Sequence, residues 1–404
     1  MKKLLVLCIL LFCAAPALGL TISRDTTWQG ERKIKEEVRV ETGATLTILP
    51  GSKITFSGGH LEVAGRLVAE NVDFRGDGWG GIILKGCDST TIIRNCRIEG
   101  AKTGLFIGGG APRLEGTTLQ NNEVGIELKQ QSAAAITNCR ISGNRKVGLF
   151  IKDESSPLVS GCTISKNGKY GVYIYRARPA GFTGNTLSEN DTALMISNVG
   201  SDPRIQGNIF TQNKIAILVD RAARPLLTEN LLRDNQTGVR LYRRADAAIE
   251  GNRFESNNEA LSIAYSSYPR IHYNDFVGNR RAIALEFQSS NWEESNGSTV
   301  RESEAESRGA FGQGSGLNSG HAADAEARRR PDAELNGTVD ARHNWWGEEG
   351  NRELTRSGAS GNPTFIHDGR DAPTFVDGGK EWPLDRVNFT PWQSAPNRRA
   401  RESL

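Results

Sequence analysis

Methionine is almost missing from this 404-residue chain, at two residues. After the first 19 residues no run is apolar for long enough to cross a bilayer. An excess of one charge is also missing. Lys and Arg number 50 against 47 Asp and Glu, and losing Lys2 and Lys3 with a leader would leave 48 against 47. Such a balance gives no global field for nucleic acid or an anionic membrane, so neither is expected as a partner. Helical periodicity is absent too, because Gly or Asn interrupts every apolar run within a few residues. Cys87, Cys96, Cys139 and Cys162 are spaced by 9, 43 and 23 residues, which fits no CxxC-type zinc site. His60, His272, His321, His343 and His367 are scattered, with only His272 and His343 near one edge of the repeat described below. No metal or cofactor is expected from these spacings. Asp368-Gly-Arg-Asp371 leaves only a weak opening for calcium.

Residues 1–19 read as a secretory signal. Lys2 and Lys3 precede the apolar stretch Leu4 to Ala15, and Ala17-Leu18-Gly19 has the small-residue character of a cleavage site. The expectation is an exported protein in the periplasm, on the cell surface or outside the cell.

What fills the rest is repetition. Gly81, Gly104, Gly125, Gly148, Gly171, Ala193, Ala216, Gly238, Ala260 and Ala282 each open a short aliphatic strand, at a period of 21 to 23 residues. Alternate positions are aliphatic, as in Leu194/Ile196, Ile217/Val219 and Val239/Leu241, which puts one face inward and one outward. A second strand per repeat carries inward pairs such as Ile205/Phe210, Leu227/Leu232 and Ile249/Phe254, with a polar turn between the two positions. That turn holds the column Asn185, Asn208, Asn230, Asn252, Asn274, with Cys96, Cys139 and Cys162 in earlier repeats. A further column runs through Asn122, Asn144, Asn167, Asn190, Asn213, Asn235, Asn257 and Asn279. Stacked amides bond to one another up such a ladder and tolerate left-handed turns, so these columns read as structural. Cys139 and Cys162 fall on neighbouring coils; buried free thiols are expected, with a bridge as the alternative.

The fold class that follows is all-β: a right-handed, single-stranded parallel β-helix, a solenoid of roughly 12 coils. Residues 20–80 are expected to form an N-terminal cap and irregular first coils, with Trp28 and the charged stretch Glu31–Glu37 covering the open end. Regular coils occupy 81–288. Residues 289–334, rich in Ser, Glu, Arg, Gly and Ala, read as a disordered insertion. The repeat resumes in 335–394, where Ala341-Arg-His-Asn344-Trp-Trp346 aligns on Ile271-His-Tyr-Asn274-Asp-Phe276, and 395–404 reads as a loose tail.

The opening Gly43-Ala-Thr-Leu-Thr-Ile-Leu-Pro-Gly-Ser-Lys-Ile-Thr-Phe56, the Gly78-Trp-Gly-Gly-Ile-Ile83 entry, the Gly-Asn-x-Phe coils, Asn344-Trp-Trp-Gly347 and the closing Phe389-Thr-Pro-Trp392 resemble right-handed parallel β-helix proteins of the pectin-lyase-like superfamily. That resemblance covers nearly all of the chain after the leader. It implies the fold, and leaves several roles: polysaccharide lyases, glycoside hydrolases, mannuronan epimerases, adhesins and NosD-type periplasmic proteins linked to copper-enzyme maturation. It also implies that ligands lie on the outward face of the first strand. The epimerase motif Asp-Pro-His is absent.

On that outward face stand Phe150, Lys152, Tyr173, Tyr175 and Tyr242, with Arg176, Arg243 and Arg244 beside them. Aromatic rings stack on sugars, and Arg or Lys pairs with uronate or sulfate. The expected ligand-binding residues are therefore Phe150, Lys152, Tyr173, Tyr175, Arg176, Arg243 and Arg244, and the expected partner is an acidic polysaccharide or envelope glycan. A lyase or hydrolase reading rests on Asp220, Arg240 and Tyr242 on adjacent coils. A third reading is a NosD-like accessory or adhesion protein that binds another envelope protein with the same face.

Overall fold

The computed structural model describes residues 19–296 and 335–397. The expected leader, the greater part of the insertion and the end of the tail fall outside these residues. Three parallel sheets run the length of the molecule, two of 14 strands and one of 12. Each of the first 12 coils contributes one strand to sheet A, one to sheet B and one to sheet C, in that order along the chain, and the last two contribute to sheets A and B. Sheet A is the expected first strand. The expected second strand is in fact two strands of three residues, such as Arg204–Gln206 in sheet B and Ile209–Thr211 in sheet C. The break between them is the Asn turn.

Register is strict. Leu194 pairs with Ile217, Ile217 with Val239, Val239 with Leu261 and Leu261 with Ile283, all parallel. A three-residue strand turns only its middle side chain inward, so each coil needs one good apolar residue in sheet B and another in sheet C. Ile205, Ile249, Phe210 and Phe254 are fully buried in these positions.

The Gly-Asn-x-Phe sentence is a turn recipe. Gly184, Gly207 and Gly251 have φ of 64°, 63° and 68°, the left-handed region, and the same turn position accepts Asn95, Asn138, Glu229, Tyr273 and His343. The Asn that follows points inward. Nδ2 of Asn208 donates to Phe182 O at 2.9 Å and to Oδ1 of Asn230 at 3.1 Å, while Asn230 Oδ1 also accepts the Asn208 amide at 3.0 Å. The same pattern repeats from Asn185 to Asn274 and continues into Asn344 across the insertion, at 3.0 Å. A second ladder, from Asn122 to Asn279, does this work at the turn from sheet C to sheet A. All four cysteines after the leader are free and buried. Burial pushes the Cys96 thiol up to about 11 and raises Cys87, while Cys139 is raised first by its side-chain contact with Cys162 and then by burial.

Both ends depart from expectation. Trp28 and Glu31–Ile34 form no separate cap. Residues 20–34 are a complete coil, with Leu20–Ile22, Thr26–Trp28 and Glu31–Ile34 in sheets A, B and C. At the other end the insertion begins as helix α1 (Ser290–Asn296), anchored by buried Ser290 and Glu293. The resumption is as aligned: Arg270 pairs with Asp340, and Asp275 bridges to Trp345. Helix α2 (Gly347–Ser357), which the repeat pattern does not announce, follows. The chain then returns to sheet A at Ile366–His367 and to sheet B at Arg386–Asn388. The tail is docked as far as residue 397, where the Asn397 amide donates to Asp275 Oδ1 at 2.9 Å.

Candidate functional site

The outward side chains of sheet A stack in columns because the coils are in register. Phe150 lies beside Tyr173, Tyr173 beside Met195, Met195 beside Leu218 and Leu218 beside Arg240. In the middle of the face this column is a second apolar core. Phe150, Tyr173 and Met195 are 5%, 3% and 6% exposed and gather with Val147, flanked by Tyr170, Tyr175 and Leu218. Phe150 and Tyr173 stack at 5.0 Å and 7°. Burial, with Tyr170 beside it, raises the Tyr173 hydroxyl. These two rings, expected to stack on sugar, are therefore spent on each other. Hydrophobic outward residues on neighbouring strands attract one another as inward ones do, and single outward letters do not reveal it.

The charged residues of the face divide into two groups. Lys152 pairs with Glu127 at 2.8 Å, Arg243 Nε with Asp220 Oδ1 at 2.7 Å, and Arg244 with Glu293 of α1 at 3.3 Å. Arg176 is half-buried at φ 48°, and its backbone amide donates to Ser201 Oγ at 2.7 Å. Lys129 and Arg240 have no carboxylate partner among the described residues and sit instead over rings. Lys129 Nζ is 4.8 Å from the centre of Phe106, and the Arg240 guanidinium 5.7 Å from that of Tyr242. Lys152 caps Phe150 in the same way at 5.0 Å. An ammonium held over a ring keeps its outer side toward solvent.

Asp220, Arg240 and Tyr242 do come together. Asp220 is the register partner of Tyr242 on the next coil, and Arg240 precedes Tyr242 by two residues. Asp220 is only 4% exposed, and both of its oxygens are held by Arg243, with Arg221 at 3.7 Å. A carboxylate so engaged is poorly placed to act as a base. The partner Arg243 sits at φ 55° in the sheet A to B turn, beyond the reach of strand periodicity.

His272 and His343, near one edge in sequence, meet with ring centres 5.9 Å apart, and His272 Nε2 lies 2.9 Å from Asp340. Burial alone would raise the Asp340 carboxyl. The Arg342 and His272 contacts outweigh it and hold it down at about 2. With its ordinary value at 3.8, Asp340 adds stability that is complete above that pH and lost as pH falls toward about 2. Asp340→Asn should therefore lose about 1–2 kcal/mol at pH 7, discounted for partial exposure, and the gap should close in acid. Urea midpoints measured between pH 7 and pH 2 check this.

Among the described residues one group could share an ion: Glu37, His60 and Glu62, with ligand atoms within 4.8 Å of one another. Glu62 is already matched by Lys85 at 2.6 Å and Arg39 at 3.6 Å. One imidazole beside a carboxylate neutralised by two cations does not fit a copper centre. Asp368 of the Asp368-Gly-Arg-Asp371 loop is spent on Arg370 and the Val387 amide, the latter at 2.7 Å.

Residues 60–210 match the family described as the right handed beta helix region. The chain is a right-handed parallel β-helix repeat protein. Residues 181–306 also match NosD, described as a periplasmic copper-binding protein. No curated protein matches the sequence. Among solved structures, the chain is similar to a tailspike protein of E. coli bacteriophage HK620, a double mutant in complex with pentasaccharide. That match has 11% identity and a TM-score of 0.37, and covers 68% of this chain and 61% of the tailspike. It is also similar to pectate lyase Pel9A, at 15% identity and a TM-score of 0.27, over 62% of this chain and 69% of that one. The chain thus spans about 61% of the length of the tailspike it matches. No helix among the described residues is long and apolar enough to cross a membrane.

Proposed function

We propose that the protein is exported and binds an extended acidic polysaccharide along the outward face of sheet A. The observation that carries this reading is the two cations poised over rings with no carboxylate partner among the described residues, Lys129 on Phe106 and Arg240 on Tyr242. From Phe106 to Tyr242 the face spans seven coils, six spacings of about 4.8 Å or roughly 29 Å, enough for several sugar units. The buried aromatics form the base of this face and the cations its contact surface, so the polymer's acid groups, more than its ring faces, are what the face reads. With Asp220 locked to Arg243, binding is favoured over turnover.

The test is retention of polygalacturonate by the intact protein, with dextran as the neutral control, by titration calorimetry. Lys129→Ala with Arg240→Ala should weaken binding about 100-fold, since a hydrogen bond to a charged group contributes about 1.5–3 kcal/mol. The folded state should be unaffected, because both side chains point outward. Binding should also fall with added salt. Equal affinity for dextran, or no effect of the double variant, would defeat the reading. Release of unsaturated ends, lost in Arg240→Ala, would replace it with the lyase reading.

A further inference from the structure

On a different face, where sheet B turns into sheet C, a cleft of about 410 Å³ opens among Arg204, Thr228, Glu229, Glu250, Gly251 and Tyr273. Its origin is a missing side chain. Glu229, Gly251 and Tyr273 occupy the same left-handed turn position on three successive coils, at φ 56°, 68° and 58°. Gly251 in the middle leaves a gap of two coil spacings, about 9.6 Å, between the residues on either side. A Cβ on Gly251 would meet nothing nearer than Asn397 Nδ2 at 3.9 Å.

The walls are chemically distinct. Tyr273 is 45% exposed and stacks one ring face on His343 at 5.5 Å and 13°. The same ring lines the cleft. Across from it, Glu229 accepts a hydrogen bond from Gln206 at 2.7 Å through one carboxylate oxygen only. Glu250 uses one oxygen for Arg270, and Arg204 donates through Nε to Gln206 at 2.8 Å. Thr228, also in the lining, is 9% exposed, and its hydroxyl oxygen has no hydrogen-bond partner among the described residues. A buried hydroxyl without a partner is unusual enough to call for one.

We propose that this cleft is a second binding site, for a single uncharged pyranose. A ring face beside convergent carboxylate and guanidinium atoms suits a flat, hydroxyl-rich ligand. Charge decides against the alternatives. The lining holds Arg204 with Glu229 and Glu250, and Arg270, outside the lining, pairs with Glu250, so the formal charges balance and neither an anion nor an ammonium finds a net opposite charge. This site lies apart from sheet A and stands or falls independently of the polymer reading.

The experiment is saturation-transfer NMR and titration of the full chain with D-glucose and N-acetyl-D-glucosamine, against D-galacturonate and methylammonium. An uncharged sugar should bind at millimolar concentration, with contacts on its ring protons. Tyr273→Ala should weaken it about fivefold. Gly251→Tyr should abolish it, in a turn position that already accepts Tyr273. Gly251→Asn, gentler on the left-handed turn, should weaken it in between. Lys129→Ala with Arg240→Ala should leave it unchanged. No uncharged sugar bound, preference for methylammonium or galacturonate, or wild-type binding by both Gly251 variants would each overturn the proposal.

Discussion

Asn230→Ala should destabilise the protein by about 3–5 kcal/mol, far more than its loss of side-chain volume. The buried Asn230 side chain makes four hydrogen bonds. Oδ1 accepts the Asn208 amide at 3.0 Å and Asn208 Nδ2 at 3.1 Å, while Nδ2 donates to Ile205 O and to Asn252 Oδ1, both at 2.9 Å. Alanine leaves the Asn208 amide without its acceptor in a position that is 1% exposed. Each orphaned buried group costs about 1–3 kcal/mol, and two or more are made at once. Asn230→Cys should cost less, because the protein already uses that exchange. Cys162 Sγ reaches Ile136 O at 3.6 Å much as Asn185 Nδ2 reaches Val159 O at 3.2 Å. Urea denaturation at constant m-value measures both. An Asn230→Ala midpoint within about 1 kcal/mol of wild type would mean that the ladder does not hold the coils.

What can be read from the sequence here follows the physics of repetition. Inward positions must be apolar in every coil, so Leu194, Ile217, Val239 and Leu261 announce their register by recurrence alone. The alignment of Asn344 on Asn274 survives an interruption of more than 40 residues for the same reason: only a side chain that can enter the ladder fits there. The three-sheet cross-section is harder to see, because strands of three residues give one inward letter each and no alternation to count. The first coil is obscured because Glu31–Ile34 is charged yet forms a paired strand against Lys53–Phe56, its polarity belonging to the outside. The candidate site is legible only in part. Asp220, Arg240 and Tyr242 are adjacent as the period requires, but the residue that locks Asp220 is Arg243, in a turn. Phe150 and Tyr173 carry the right chemistry for a sugar platform, and nothing in their own positions tells that they bury each other. Gly251 escapes notice altogether, since as a letter it is the ordinary turn glycine, and its effect is the empty space between Glu229 and Tyr273.

Trp346→Ala should cost about 3–5 kcal/mol and loosen one end of the solenoid first. The inward column of sheet C runs through Phe254 and Phe276, stacked at 5.0 Å, and ends on Trp346, which lies 4.8 Å from Phe276. Trp346 is 4% exposed, and Phe365 leans on it at 5.3 Å. Beyond it the 12-stranded sheet has no further strand, so this indole and helix α2 are what keep water from the last Phe. A stack of coils is only as closed as its final layer, because each coil buries its apolar face against the next. Trp346→Phe should be nearly neutral, within about 1.5 kcal/mol, since it keeps a ring on Phe276. It also removes an indole N–H that is buried without a hydrogen-bond partner among the described residues, a small gain against the lost volume. Hydrogen exchange gives the spatial test. In Trp346→Ala the amides of Asn274 and Phe276 should exchange faster, while those of Leu128 and Ile151, many coils away, keep their wild-type protection. Uniform acceleration along the whole helix would show instead that the coils unfold as one unit, with Trp346 no more a closing residue than any other.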